Sequence, residues 1–167
     1  MEEISQLKLI EYKKELRELQ ESIPVLAAKK AEARAEGDLR ENAEYDFASA
    51  ELSKAQLRAA QLFDLIDNCK VIVPDKGQYI SLGCFVRIKC LNRDTLDEQI
   101  LRLDNEGNIL APEPYNRVLS IHSALGSAIL NGVSGEYTIQ TEVGEVKYHV
   151  DKVPFEEIQK MWDLDTV

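Results

Sequence analysis

Apolar residues recur three and four apart through the first third of the chain. Leu9, Tyr12, Leu16, Leu19, Ile23 and Leu26 make one series, the heptad seam of a helix packed along a partner. The pattern predicts a long helix over 4–36. Pro24 lies inside it. Proline removes one backbone donor and crowds the preceding turn, so a kink or local break is expected there. Ala48, Leu52, Ala55, Ala59, Leu62, Ile66 and Cys69 make a second seam and predict a helix over 39–68. The small alanines let the two helices approach closely. Gly37 suits the C′ position that ends the first helix. The Gly37-Asp38 junction is too short for anything but an antiparallel hairpin. At 1.5 Å per residue, about 30 residues span roughly 45–50 Å. A hairpin of that length cannot share one core with a compact domain, so it is expected to project as an arm.

The period changes after Val73-Pro74-Asp75-Lys76-Gly77, a linker signature. Short β-like runs follow at 85–90, 99–103, 118–121, 137–141 and 146–150, and Glu142-Val143-Gly144-Glu145 reads as the hairpin turn between the last two. One short helix over 123–130 is N-capped by Ser123 and stopped at Asn131-Gly132, and 155–162 is a terminal amphipathic helix. The expected fold is α+β in two domains: a coiled-coil arm over 1–75, and a small antiparallel sheet with one short helix over 76–167.

Charge narrows the function. The net charge is −10, and residues 1–75 carry 11 basic and 16 acidic side chains against 9 and 14 in 76–167, so each half nets −5. Phosphate-backbone affinity comes from counterion release by Lys and Arg. A chain this acidic needs a protein partner to hold it beside nucleic acid. No apolar run is long enough to span a membrane, and Met1-Glu2-Glu3 does not read as a signal peptide. Cys69, Cys84 and Cys90 form no C-x-x-C pair, and His122 and His149 stand far apart. The cysteines therefore read as reduced core residues of a cytoplasmic protein, and zinc binding is not expected.

The candidate chemistry lies at Gly37-Asp38-Leu39-Arg40-Glu41-Asn42-Ala43-Glu44-Tyr45, acidic residues at a glycine break between two long helices. Two readings use the same atoms. Asp38 can N-cap the second helix with Glu41 at the capping-box position, and Glu44 favours the positive end of the helix dipole. Alternatively, exposed carboxylates on a rigid turn can complete a hard-cation site. Mg²⁺ keeps several waters and often takes only one or two protein carboxylates. Asp38 and Glu41 alone are too few to hold it tightly, so a second macromolecule would supply the other oxygens, which suits two-metal phosphoryl chemistry.

The same nine residues resemble the tip motif of the bacterial GreA/GreB transcript cleavage factors, more closely GreA. Ala33-Arg34-Ala35-Glu36 and Pro24 also fit, as do Leu125-Gly126-Ser127-Ala128-Ile129, Asn131-Gly132 and Gly135-Glu136-Tyr137 farther on. The resemblance implies a DNA-binding transcription complex in which this chain, a monomer, docks on RNA polymerase by an FKBP-like globular domain. The coiled coil would enter the secondary channel and meet the nascent RNA 3′ end. Asp38 and Glu41 would direct a Mg²⁺ shared with polymerase, which itself cleaves backtracked RNA; the chain would be no enzyme and hold no cofactor alone. Gly37, Leu39, Arg40, Asn42, Glu44 and Tyr45 would support the tip. Lys54 and Arg58 would be remnants of an RNA-facing basic patch, or solvated helix positions. Ser123, Ala124, Leu125 and Gly126 would dock on polymerase, although Leu125 and Ile129 read equally as core.

Three positions depart from the family pattern: Arg40 for Ser, Ser49 for Lys or Arg, and Ala124 for Pro. The first two keep open a Gre-like channel inhibitor without cleavage activity. A third reading is an FKBP-like isomerase or chaperone, whose pocket would have to be built from Phe85, Tyr115, Tyr137 and Tyr148.

Overall fold

A computed structural model describes residues 1–38, 42–94 and 97–164. The long helix α1, Gln6–Ala35, runs through Pro24 without a break. The local break that the sequence allowed there does not occur. Pro24 is exposed, and the apolar seam continues past it, so packing along the hairpin offsets the lost backbone donor. Helix α2, Ala43–Asn68, buries Ala48, Leu52, Ala55 and Leu62, as its heptads require. In the hairpin, Asn42 meets Ala33 and Arg58 meets Glu15, so the helices are antiparallel. Tyr12 and Ala33 are buried on α1. The apolar seam is narrow, and most other positions on both helices face water.

Two local expectations change. The first helix begins at Gln6 rather than residue 4, because Glu3–Ser5 form a strand, β1, that pairs in parallel with β2, Lys70–Ile72. The second begins at Ala43 rather than 39, so the interhelical connection is longer than Gly37-Asp38. Nor does Gly37 adopt the left-handed conformation of a helix C′ glycine; among the described glycines only Gly83 and Gly144 have positive φ.

Chain contacts divide the molecule into two units: Met1–Glu2 with Leu9–Cys69, and Glu3–Lys8 with Lys70–Val167. The boundary expected at 75/76 thus moves to Lys70, and the β1 segment joins the globular unit, because its pairing partner lies there.

The globular unit is built on five strands in the order β5-β4-β3-β7-β6. These are β3 Phe85–Cys90, β4 Gln99–Asp104, β5 Val118–Ser120, β6 Gly135–Thr141 and β7 Gly144–Val153. All neighbours are antiparallel except β4 and β5, which run parallel. The sheet is therefore mixed rather than purely antiparallel. The segment between β4 and β5, with its 3-10 turn Pro114–Asn116, carries the chain back for that parallel pairing. The α3 helix, Ala124–Ile129, packs Leu125 and Ile129 into a core with Val86, Ile88, Leu101, Leu103 and Val150. Helix α4, Phe155–Trp162, contributes Ile158 to a second cluster with Phe85 and Val153, against which Leu7 also packs. Alternation along β3 explains the two clusters: Val86 and Ile88 face one way and Phe85 the other.

Candidate functional site

Asn42 joins the two helices where the hairpin turns. Its side-chain oxygen accepts the Tyr45 backbone N–H at 3.1 Å, the N-cap bond of α2. Its amide donates to the Ala33 carbonyl at 2.6 Å, satisfying an acceptor near the end of α1. The capping role expected of Asp38 thus belongs to Asn42, four residues later. The helix start moves with it, because the cap must immediately precede the first helical residue. Lys30 lies over the Tyr45 ring at 5.6 Å from its centroid, a cation–π contact that also ties the helices. The sequence signal for this latch is Asn42 three residues before Tyr45, which is also an N-cap spacing.

Asp38 and Glu44 are exposed, and with Glu36, Gly37, Asn42 and Ala43 they line one shallow groove at the turn. Three carboxylates therefore face solvent around a turn pinned by Asn42. Leu39, Arg40 and Glu41 lie outside the described residues. Among the described residues no three His, Cys, Asp or Glu side chains are grouped to hold a metal ion. The donors here are exposed carboxylate oxygens, the right type for a hard cation but too few to enclose one. They fit part of a Mg²⁺ shell, not all of it.

The two basic residues assigned to RNA differ. Lys54 is exposed. Arg58 donates from Nε and Nη2 to Glu15 Oε1 and Oε2 at 2.7 and 2.9 Å. This bidentate pair bridges α1 and α2, so much of the Arg58 charge is spent within the hairpin. Ser49, the position of the third basic residue in the family pattern, is half-buried.

The assigned docking loop also separates. Ser123 caps α3, accepting the Gly126 N–H at 3.0 Å. Leu125 is in the core. Gly126 is packed so tightly that a Cβ there would lie 1.9 Å from the Ser120 carbonyl oxygen. Only Ala124 of the four is exposed, alongside His122 and Ser127. Leu125 and Gly126 are buried because a helix this short must seat one face on the sheet.

Of the aromatics named for an isomerase pocket, Phe85 does not share a face of the sheet with Tyr137 and Tyr148. Phe85 is buried with α4, whereas Tyr137 and Tyr148 pack against the α3 cluster on the other face. All three cysteines are free thiols, with Cys84 and Cys90 buried. No helix among the described residues is long and apolar enough to cross a membrane.

Sequence comparison gives a consistent result. Residues 3–71 match the family described as "Transcription elongation factor, N-terminal", GreA_GreB_N. Transcription elongation factor GreA of Saccharopolyspora erythraea is 36% identical over 125 residues, 74% of this chain and 75% of that protein. Transcription elongation factor GreB of Yersinia pestis is 30% identical over 143 residues, 82% and 80% of the two chains. GreA factor homolog 1 of Thermus thermophilus aligns over 90% of this chain and 96% of its own, at 17% identity and a TM-score of 0.42.

Proposed function

This chain belongs to the GreA/GreB family of transcription elongation factors, and we propose that it stimulates transcript cleavage by RNA polymerase. In this reading the monomer acts in the cytoplasm, docks on polymerase through the globular unit, and brings the acidic turn to the polymerase active centre through the secondary channel. Asp38 and Glu41 contribute carboxylate oxygens to a Mg²⁺ shared with polymerase. The bound ion supplies charge stabilisation at the phosphodiester being hydrolysed. The chain's own part is to hold the two acids in place. Asn42 fixes the start of α2 against the end of α1, and Lys30 braces Tyr45. Polymerase adds water across the phosphodiester of backtracked RNA and leaves a new extendable 3′ end.

One observation carries the reading. Asp38 is exposed in the acidic groove at the hairpin turn, while the N-cap of α2 is supplied by Asn42. Capping that helix does not account for an aspartate at 38. An exposed carboxylate there is of the type a hard cation takes.

The test is a cleavage assay on stalled complexes with the cognate polymerase. The full chain should accelerate release of RNA 3′ fragments, and the Asp38→Asn, Glu41→Gln double variant should bind polymerase equally well without accelerating it. Binding with no stimulation by the native chain would instead identify a channel inhibitor. Undiminished cleavage by the double variant would remove these acids from the chemistry.

A further inference from the structure

The five-stranded sheet of the globular unit ends in β5 on one side and β6 on the other, and the chain treats these two edges differently. The β5 edge is closed from within. The outward Val118 N–H donates to the Asn108 carbonyl at 3.1 Å, Asn108 bridges Arg117, and the Ser120 carbonyl accepts the Ser123 N–H at 3.1 Å. The β6 edge has no such cover. Its two-residue turn makes Thr141 and Gly144 a hydrogen-bonded pair, so Ile139, Tyr137 and Gly135 also bond to β7. The N–H and C=O groups of Glu136, Thr138 and Gln140 therefore point away from the sheet. Among the described residues nothing bonds to these backbone groups. The strand is seven residues long, with neither lysine nor proline and with Glu136 as its one charge. Lysine and proline are the residues that blunt an exposed edge.

We propose that β6 is a self-pairing edge: two free chains join by antiparallel β6–β6 pairing about a twofold axis at Thr138. The strand's own residues select a second copy as the occupant. With the axis at Thr138, that residue faces its counterpart, Glu136 faces Gln140 of the second copy, and Gln140 faces its Glu136. This register pairs all three outward residues of both strands. Moving the axis to Glu136 would set two carboxylates opposite each other, which is unfavourable. Gln140 has two amide N–H groups. One donates to Glu145 Oε1 at 3.3 Å within the chain, and the other is left for Glu136 of the second copy. On the opposite face, Tyr137 stands against Ile139 of the second copy at the closely spaced, non-hydrogen-bonded positions. That is an aromatic against a β-branched side chain, a favourable cross-strand pair. Both side chains are half-buried against the core, so their positions are set before pairing. The contact is isologous and closes at two chains. A net charge of −10 on each copy opposes association and keeps it reversible. Pairing of free chains is independent of the cleavage-factor reading; a monomer that docks on polymerase is drawn from the dimer by mass action.

The experiment compares the full native chain with Thr138→Pro, Gln140→Glu and the Glu136→Lys, Gln140→Glu double variant. Sedimentation equilibrium from about 1 μM to about 1 mM, the span of weak specific association, gives the dimer fraction. Amide exchange at Glu136, Thr138 and Gln140 is followed over the same range. Proline is tolerated where its missing N–H faces solvent on an edge strand, so Thr138→Pro removes the central bonds between copies and spares the hairpin. The charge variants decide the matter if Thr138→Pro loses its native circular dichroism. The native chain is expected to dimerise as concentration rises, with slower exchange at the three amides, and Thr138→Pro to stay monomeric. Gln140→Glu should raise the dissociation constant by about 2- to 30-fold through two like-charge pairs. The double variant should recover native affinity or better, because lysine then faces glutamate twice. Positions 136 and 140 lie roughly 13 Å apart along one strand, so that rescue acts between copies. A native chain still monomeric at about 1 mM, a dimer that Thr138→Pro leaves intact, or a double variant no tighter than Gln140→Glu would overturn the assignment. Amides protected by polymerase in a chain that never self-associates would overturn it as well and give the edge to polymerase.

Discussion

Asp38 and Asp104 are the same residue in opposite settings. Asp38 lies in an open groove at the hairpin turn, among other exposed carboxylates. Asp104 is fully buried, bonded to Arg102, Ser5 and Asn105. A buried charge is kept only where partners offset its desolvation, so its work is directed inward. An exposed carboxylate in high dielectric contributes little to stability, so the fold places few demands on it. The difference separates the part of the molecule that builds from the part that is presented.

The strongest way to break the comparison is Asp104→Ala. It leaves Arg102 buried without its counter-charge, and unfolding stability should fall by about 3–5 kcal/mol, read from the urea midpoint of the full chain. A loss below 1 kcal/mol would mean that Asp104 is no more committed to the fold than Asp38. On the other side, Asp38→Asn with Glu41→Gln should leave that midpoint within about 0.5 kcal/mol and lower stimulated cleavage by roughly 100-fold, the scale of losing a preorganised charge at a reacting centre. High Mg²⁺ should restore part of the rate.

Two further substitutions sharpen the boundary between building and presenting within short segments. Leu125→Ala should destabilise the globular unit by about 2–5 kcal/mol, whereas Ala124→Lys, at the exposed neighbour, should leave stability within about 0.5 kcal/mol and weaken binding in a polymerase competition assay. Equal stability effects at the two positions would contradict the burial pattern of α3. At the turn, Asn42→Ala removes the α2 cap and the bond to Ala33, and the hairpin should lose about 1–2 kcal/mol in thermal unfolding. The smallest effect is expected at Arg58→Gln. Its pair with Glu15 has both side chains more than a third exposed, so solvent screening limits the loss to below about 1 kcal/mol. Cleavage should change less than with Lys54→Gln if Arg58 is a strut between helices. A larger cleavage defect at Arg58 would return it to the RNA-facing role.

What local pattern encodes was legible. The buried positions of α2 fall where its seam puts them, Tyr12 of the first seam is buried, and the strands at 85–90, 99–104 and 135–153 grew from alternation and a glycine turn. Ser123 caps α3, and α4 spans Phe155–Trp162 as its amphipathic spacing requires. The acidic turn stood out because a glycine break between two heptad runs leaves its residues without a core. The cap at Asn42 was harder to see. Asp38 and Asn42 are both good N-caps, and local sequence does not choose between them; the bond from Asn42 to Ala33, on the other helix, favours the later start.

By itself, then, the sequence determined the helical hairpin, the strand segments and the acidic turn, because each depends on side chains a few residues apart. Only the tertiary structure decided the parallel pairing of Glu3–Ser5 with Lys70–Ile72, the parallel β4–β5 edge, the pairing of Arg58 with Glu15, and the burial of Arg102 with Asp104. Ser5 and Asp104 are 99 residues apart. No periodicity relates such positions; they meet because closing the chain removes water from both and leaves each the other's best remaining hydrogen-bond partner.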